Sequence, residues 1–350
     1  MKAAYFVSKD KMEVREVEKP TVQDQTDAIV RVVYACVCGS DLWYYRGIAE
    51  HPEGSIGHEF IGVVEETGSD VKNLKQGDFV IAPFAYSDNT CPHCQAGFQT
   101  ACTHGGFFGG SGVAGDGGQA EFMRVPQADG TLVTVPNAET LSEDVMASLL
   151  SLSDVMGTGY HAAVSAEVKE GDTVAVVGDG AVGLSGVLSA KMLGAKRIIV
   201  LASTHQSRHE LAKKWGATDV ITVRGEDAVK ELMDLTEGVG ADAVLECVGT
   251  NDANETAFAI ARPGAIVGRV GVPHEVMINA EGTFFRNVGM RGGPAPVRAY
   301  LPELLDAVLK GEINPGEVFD LKTDLDGIAE AYAAMDERRA IKSLIRVSNI

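Results

Sequence analysis

The chain is short of positive charge: 30 Lys and Arg stand against 49 Asp and Glu in 350 residues, a formal net charge of −19. An anionic surface field disfavours phosphate backbones and anionic lipid, so neither nucleic acid nor a membrane surface is expected as a partner. Long apolar runs are missing as well. No stretch approaches the roughly 20 residues that cross a bilayer, and the opening MKAAYFVSKDKMEV holds no apolar core of a secretory leader. The expected compartment is the cytoplasm. Cysteine is scarce, six in the whole chain, too few for a disulfide framework. Five of them (Cys36, Cys38, Cys91, Cys94, Cys102) fall in short-range patterns that suit metal binding in a reducing compartment. Cys247, in the apolar run ADAVLECVG, reads as a buried core thiol. Internal repeats and low-complexity linkers are absent too, so domains here are expected to join through continuous helices.

What is present is a globular balance, 45% hydrophobic and 23% charged residues, in a chain long enough for two domains. Up to about residue 140 the pattern is strand-like: KAAYFV, MEVREVE, AIVRVVYAC, HEFIGVVEETG, DFVIAPFAY and AEFMRV are short runs rich in Val, Ile and aromatics, broken by Gly, Pro and Asp. After Ser142, an N-cap with Glu143 and Asp144 in the first turn, the apolar spacing becomes helical through VMASLLSLSDVMGTGYHAAV. DTVAVVGDGAVGLSGVLSAKMLGAKRIIVLAS is then a βαβ unit, and strands and helices alternate through AIVGRVGV. The alternation predicts a doubly wound parallel sheet. Two further helices, VRAYLPELLDAVLKG and LDGIAEAYAAMDERRA, precede a last strand, SLIRV.

The turn Gly178-Asp179-Gly180-Ala181-Val182-Gly183 is G-x-G-x-x-G between a strand and a helix. The first glycine permits the tight turn, the second lets the backbone approach a pyrophosphate, and the third lets helix and strand pack closely. A nicotinamide dinucleotide is therefore expected on the helix N-terminus. NAD-binding units usually end the second strand in an acid that takes the ribose 2′-hydroxyl. Here that place holds Ser203 and Thr204, followed by His205, Arg208, His209 and, after the next strand, Arg224. Hydroxyls and cations without a carboxylate favour NADP over NAD, with use of either cofactor left open. A third pattern, DNTCPHCQAGFQTAC at residues 88 to 102, holds Cys91, Cys94 and Cys102 as C-x2-C-x7-C, a zinc clasp short of one ligand.

Cys38-Gly39-Ser40-Asp41, then Gly57-His58-Glu59, then the glycine turn stand in an order and spacing that resemble the zinc-containing medium-chain alcohol dehydrogenases. The resemblance runs to the tail AYAAMDERRAIKSLI. It implies a GroES-like β-rich catalytic domain at residues 1–155, completed by 294–350, and a Rossmann cofactor domain at 156–293. It further implies a catalytic zinc on Cys38, His58 and a third ligand just before the cofactor domain, where Asp154 stands, with Glu59 able to approach the metal. Ser40 matches the family's proton-passing hydroxyl, and Asp41 is placed to hold the ligand histidine from behind. The family's structural zinc uses C-x2-C-x2-C-x7-C, which puts Asp88 at the first position beside Cys91, Cys94 and Cys102. The alternative is a vacated site with free thiols. Further implied cofactor contacts are Val248, Gly249, Val270 and Lys342, and a homodimer or homotetramer is implied, usually through the cofactor domain.

One position departs from the pattern. Many relatives carry a histidine five residues after the zinc cysteine, where this chain has Trp43. The proton would then leave past Ser40 through water, the ribose or another group such as His51. Trp43, Phe84, Phe107 and Met156 are candidates for an apolar substrate pocket or for plain core. The expected activity is hydride transfer between NADP(H) and a small alcohol, ketone or aldehyde. Alternatives are a zinc-independent NADPH quinone or enone reductase, which would lack the metal ligands, a polyol- or threonine-type dehydrogenase using NAD, and a nonenzymatic nucleotide-binding protein, which has no need of an open metal site.

Overall fold

The computed structural model describes residues 1–349, which form two compact units: Met1–Asp154 together with the chain from Pro296 onward, and Val155–Ala295. Along the first part of unit one run β1 (Lys2–Ser8), β2 (Lys11–Glu16), β3 (Ala28–Cys36), α1 (Asp41–Tyr45), β4 (Gly54–Ser55), β5 (Phe60–Thr67), β6 (Phe79–Ala82) and β7 (Ala85–Tyr86). They are followed by α2 (Pro92–Gln95), β8 (Gly106–Phe107), β9 (Phe122–Val125), α3 (Ala128–Thr131), β10 (Val133–Thr134) and α4 (Glu143–Ser151). Unit two holds α5 (Val155–Ser165), β11 (Thr173–Val177), α6 (Ala181–Met192), β12 (Arg197–Leu201), α7 (Gln206–Trp215), β13 (Asp219–Ile221) and α8 (Gly225–Leu235). It ends with β14 (Ala241–Glu246), α9 (Asn251–Ile260), β15 (Ala261–Arg269), α10 (Ala280–Arg286) and β16 (Gly289–Gly292). The chain then returns to unit one with α11 (Val297–Leu309), β17 (Phe319–Asp324), α12 (Ile328–Asp336) and β18 (Lys342–Arg346).

In unit one the tail completes the sheet. The order is β10-β6-β5-β3-β18-β17, with β9 also on β3, and β18 runs antiparallel to β3 so that Leu344 faces Cys36. Ala28, Val30, Val32, Phe60, Val64, Val80 and Met123 close one core, and Tyr332 from α12 joins Phe6, Val37 and Ile56 in a second. Each Val, Ile, Phe or Met side chain among them, fully buried, stabilises by about 1.5–3 kcal/mol. In unit two all pairings are parallel, in the order β13-β12-β11-β14-β15-β16. Val174, Val176, Ile199, Val200, Val244 and Leu245 are all buried, as strands covered by helices on both faces require. The architecture is thus a GroES-like β domain plus a Rossmann domain, the expected fold class.

One expected helix is two. The helical spacing of residues 145–164 is broken after Ser151, and α5 starts afresh at Val155. Ser151 and Ser153 turn their hydroxyls back onto the carbonyls of Ser148 and Leu150, while the Ser153 carbonyl accepts the amide of Phe84. Such side chain to backbone bonds compete with helix propagation, and the break presents Asp154. The Ser142 cap is present, its hydroxyl accepting from the amide of Val145. Among the described residues no helix is long and apolar enough to cross a membrane.

Candidate active site and metal centres

In unit one, Cys38 follows β3, His58 precedes β5 and Asp154 sits in the break after α4. Oδ2 of Asp154 lies 3.6 Å from Sγ of Cys38 and 3.3 Å from Nε2 of His58. With Glu59 they offer ligand atoms all within 4.8 Å of one another. A tetrahedral zinc with Zn–S, Zn–N and Zn–O bonds of ordinary length needs S···O and N···O edges of about 3.6 and 3.3 Å. The two edges that Asp154 makes, with Cys38 and with His58, fit that ion. The donor chemistry asks for it as well: burial, then Glu59 and Asp154, raise the Cys38 thiol, and burial raises Glu59. A divalent cation supplies the counter-charge under which these donors ionise together.

The surroundings orient the set. Asp41 Oδ1 lies 3.4 Å from Nδ1 of His58, and its Oδ2 accepts the Cys38 amide at 3.0 Å and Gln119 Nε2 at 3.1 Å. Gln119 in turn accepts the hydroxyl of Tyr332 at 3.0 Å. An imidazole proton kept on Nδ1, on the side of Asp41, would leave the Nε2 lone pair to the cluster. Lys342, expected at the cofactor, is fully buried, with Nζ 2.6 Å from Glu59 Oε1 and 3.0 Å from the Val37 carbonyl. Its ammonium is paired with Glu59, a contact that no local pattern in the sequence announces. Ser40 is half-buried just ahead of α1. His51 has both ring nitrogens against carbonyls, Pro52 at 2.6 Å and Gly109 at 2.8 Å, and packs on Phe6 and Tyr44. That seat ties two loops together and does not suit a relay. Phe84 stands edge-on to His58 at 6.2 Å and stacks on exposed Phe107 at 5.9 Å. Met156 is fully buried in unit two, as core.

In unit two the glycine turn is open where a dinucleotide must approach. A Cβ on Gly183 would stand 2.1 Å from the Gly178 carbonyl, whereas one on Gly180 would meet nothing within 4 Å. Gly180 is the N-cap of α6 without a side-chain cap, and Ala181 and Val182 are half-buried beside it, so the helix start is suited to an anion. Val248 is partly exposed, and the amides of Val248 and Gly249 both donate to Glu246 Oε1 at 2.8 Å. Val270 donates to the Glu246 carbonyl. At the end of β12, Thr204 is exposed and His205 half-buried, but Ser203 is buried and bonded to Asp179. Arg208 also reaches Asp179.

The loop from Asp88 to Cys102 forms a second donor set. Sγ of Cys91 lies 3.6 Å from that of Cys94 and 3.9 Å from that of Cys102, and Asp88 completes the group. Tetrahedral zinc on thiolates needs S···S edges of about 3.8 Å. Amides of Cys94 and Thr103 bring the Cys91 thiol down to about 6, despite some burial. Burial opposes ionisation of Asp88, but the His104 ring at 2.6 Å and the amides of Thr90 and Cys91 hold it well below the usual carboxylate range. All six cysteines are free.

A family model described as alcohol dehydrogenase GroES-like domain matches residues 24–137, and one described as zinc-binding dehydrogenase matches residues 181–310. Zinc-type alcohol dehydrogenase B of Aspergillus flavus is 34% identical, covering 99% of this chain and 81% of that protein. The chain belongs to the zinc-containing medium-chain alcohol dehydrogenases. An NADP-dependent isopropanol dehydrogenase of Thermoanaerobacter brockii is 33% identical over 97% of each chain. The solved alcohol dehydrogenase TADH from Thermus sp. ATN1 superposes with a TM-score of 0.91 at 33% identity, covering 99% of this chain and 100% of that one.

Four residues of this medium-chain dehydrogenase escaped the sequence reading. Gln119 and Tyr332 carry no motif, and only the fold brings them behind Asp41. Glu246 ends an apolar strand, where an acid is the signal: burial raises its carboxyl even against two amide bonds. Asp179 stands at the first unspecified position of the glycine turn, where the pattern itself assigns no role.

Proposed function

We propose that the protein is a zinc-dependent dehydrogenase that moves a hydride between a nicotinamide dinucleotide and a small alcohol, ketone or aldehyde. The observation that carries this reading is the agreement of the distances from Asp154 to Cys38 and to His58 with two edges of one tetrahedral ion. Three protein ligands leave a fourth position open, the mark of a catalytic rather than a structural zinc. Zinc held there would supply a Lewis acid that stabilises negative charge on the substrate oxygen. Asp41 would fix the tautomer of His58, Lys342 would keep the Glu59 carboxylate beside the cluster, and Ser40 Oγ would take the alcohol proton outward. With Trp43 and His51 both unsuited to relay it, the proton would pass from Ser40 to water or ribose.

Phe84 and Phe107 give the site an aromatic wall, which favours apolar alcohols and ketones over polyols. For the dinucleotide, exposed Thr204, half-buried His205 and relatives named NADP-dependent isopropanol dehydrogenases from Thermoanaerobacter brockii and Clostridium beijerinckii speak for NADP(H). The contacts of Ser203 and Arg208 with Asp179 weigh on the other side, toward NAD(H). Asp88, Cys91, Cys94 and Cys102 would hold a second, structural zinc. Free thiols accord with a reducing compartment, the cytoplasm. Self-association through unit two is supported by edge strand β16 and by α10, which has no buried residue and leaves Phe284 and Phe285 about three-quarters exposed.

The test is zinc per chain on protein purified without chelator, then turnover on a panel of small alcohols and ketones with both dinucleotides. Near two zincs with turnover supports the reading. Reduction that persists without zinc sinks it in favour of a zinc-independent reductase.

A further inference from the structure

We propose that Asp179, inside the glycine turn, sets the preference of this site toward NAD(H), because the turn supplies the carboxylate that β12 lacks at its end. The inference rests on the dinucleotide reading of unit two and extends it to the ribose. Asp179 is 6% exposed, and its Oδ2 accepts both the amide of Ser203 at 2.8 Å and the hydroxyl of Ser203 at 2.5 Å. Ser203 stands where an NAD-binding βαβ unit places its own acid. An aspartate at 203 would carry its carboxylate just beyond the Oγ position. The Asp179 carboxylate lies one hydrogen bond beyond that same atom, so negative charge reaches the corner from the opposite side.

The local fold makes this reach possible. Gly178, at φ +109°, reverses the chain, and its amide donates to the Leu201 carbonyl at 3.0 Å, which holds the turn against the end of β12. His209 Nε2 lies 2.6 Å from the Ser203 carbonyl and pins the residue from the other side. Two features expected to favour a 2′-phosphate are thereby altered. The Ser203 hydroxyl is directed at Asp179. Arg208, the nearby cation, has its Nη1 3.7 Å from Asp179 Oδ1 and 3.4 Å from the Asp179 carbonyl, so an anion already stands beside it. At 3.7 Å the Arg208 contact is an ion pair and not a hydrogen bond, and Oδ1 retains capacity to accept a ribose hydroxyl. A phosphate in that corner meets a like charge at low dielectric, whereas a hydroxyl finds an acceptor.

Asp179→Asn keeps the size and the acceptor for Ser203 and removes the charge. The measurement is the Kd of NADH and of NADPH, by fluorescence titration, for the unmodified protein, Asp179→Asn and Ser203→Ala, with the melting midpoint of each cofactor-free protein as a check on folding. The unmodified protein is expected to bind NADH at least about tenfold more tightly than NADPH, and Asp179→Asn to move the ratio at least about tenfold toward NADPH. Ser203→Ala, which leaves the carboxylate, is expected to change the ratio less than about twofold. A preference of the unmodified protein for NADPH overturns the proposal, as does an unchanged ratio in Asp179→Asn. So does a Ser203→Ala ratio that moves further toward NADH, because the hydroxyl would then have been holding a phosphate. If Asp179→Asn does not fold, the unmodified protein and Ser203→Ala decide between the two. Failure of the unmodified protein to bind either dinucleotide is a different result and defeats the dehydrogenase reading itself.

Discussion

Cys38 and Asp154 are separated by 116 positions in the chain, yet the sulfur and the carboxylate close to 3.6 Å. At the scale of single residues this predicts that Cys38→Ser loses one zinc per chain and turnover with it, read by elemental analysis and an alcohol oxidation assay; full turnover with one zinc gone would remove Cys38 from the ligand set. Asp41 touches Cys38 and His58 without belonging to the donor group. Asp41→Ala is therefore expected to lower zinc affinity or kcat/KM by about 10–100-fold, checked by competition with a chromophoric chelator. In the second donor set, Asp88→Ala is expected to leave one zinc per chain. His104→Ala should keep both zincs but weaken the second, since His104 only steadies Asp88 at 2.6 Å. Full metal content in Asp88→Ala would mark the loop as a site of three sulfurs or none.

The loop from Asp88 to Cys102 is an element with little core of its own: one helical turn, α2, and a short 3-10 turn joined by polar bonds. Chelation of the second zinc is expected to open it before the sheets melt, read as protease cleavage near Phe98, which is 54% exposed. Edge strand β13 depends on a different device. Arg197 on β12 grips Asp219 through two bonds of 2.8 and 2.9 Å, and this pairing holds the Asp219 carboxyl below its ordinary value, against some burial. An acid depressed in the folded state stabilises above its unfolded pKa, near 3.9, and that stability is lost as pH falls through the folded value. Asp219→Asn is thus expected to lower Tm by about 2–4 °C at pH 7, for a half-exposed pair of about 1 kcal/mol. The difference from the unmodified protein should shrink progressively as pH falls below about 3.9; a difference that stays constant from pH 7 through the acid range would contradict the role of the charge.

On the scale of the whole molecule, apolar surface gathers on unit two, where Met277, Phe284 and Phe285 are each about three-quarters exposed. If copies of the chain associate there, Phe284→Ser combined with Phe285→Ser shifts the sedimentation profile toward monomer while zinc content stays at the unmodified level. An unchanged profile would place the interface elsewhere. The net charge of −19 acts at the same scale: it works against any phosphate-bearing ligand at long range. Under the proposed function, dinucleotide capture would then depend on the local field of the α6 N-terminus and is expected to strengthen with added salt, which screens the repulsion. Weakening of NADH binding between low and moderate ionic strength would show attraction to be the stronger effect.

Period-two runs marked the β-rich half, and the alternation of strand and helix marked the parallel sheet, because backbone geometry imposes those spacings on any sequence that buries one face. The donor residues were legible for a related reason: C-x2-C, a histidine between glycine and glutamate, and a glycine turn are local patterns. Spacing also gave a continuous helix through Asp154, which two serine hydroxyls and the Phe84 amide interrupt. What only the tertiary structure decided is how charges meet across distant segments. Lys342 meets Glu59, 283 positions away, because β18 lies against β3 in the closed sheet. Asp179, to which the glycine pattern assigns no role, reaches the end of β12 because parallel strands set side by side bring their C-terminal ends together. Sequence by itself determined which donors and which turns this protein has, since these are fixed by residue type and local geometry. Which carboxylate faces which cation or hydroxyl was settled by packing, where burial makes an unpaired charge costly.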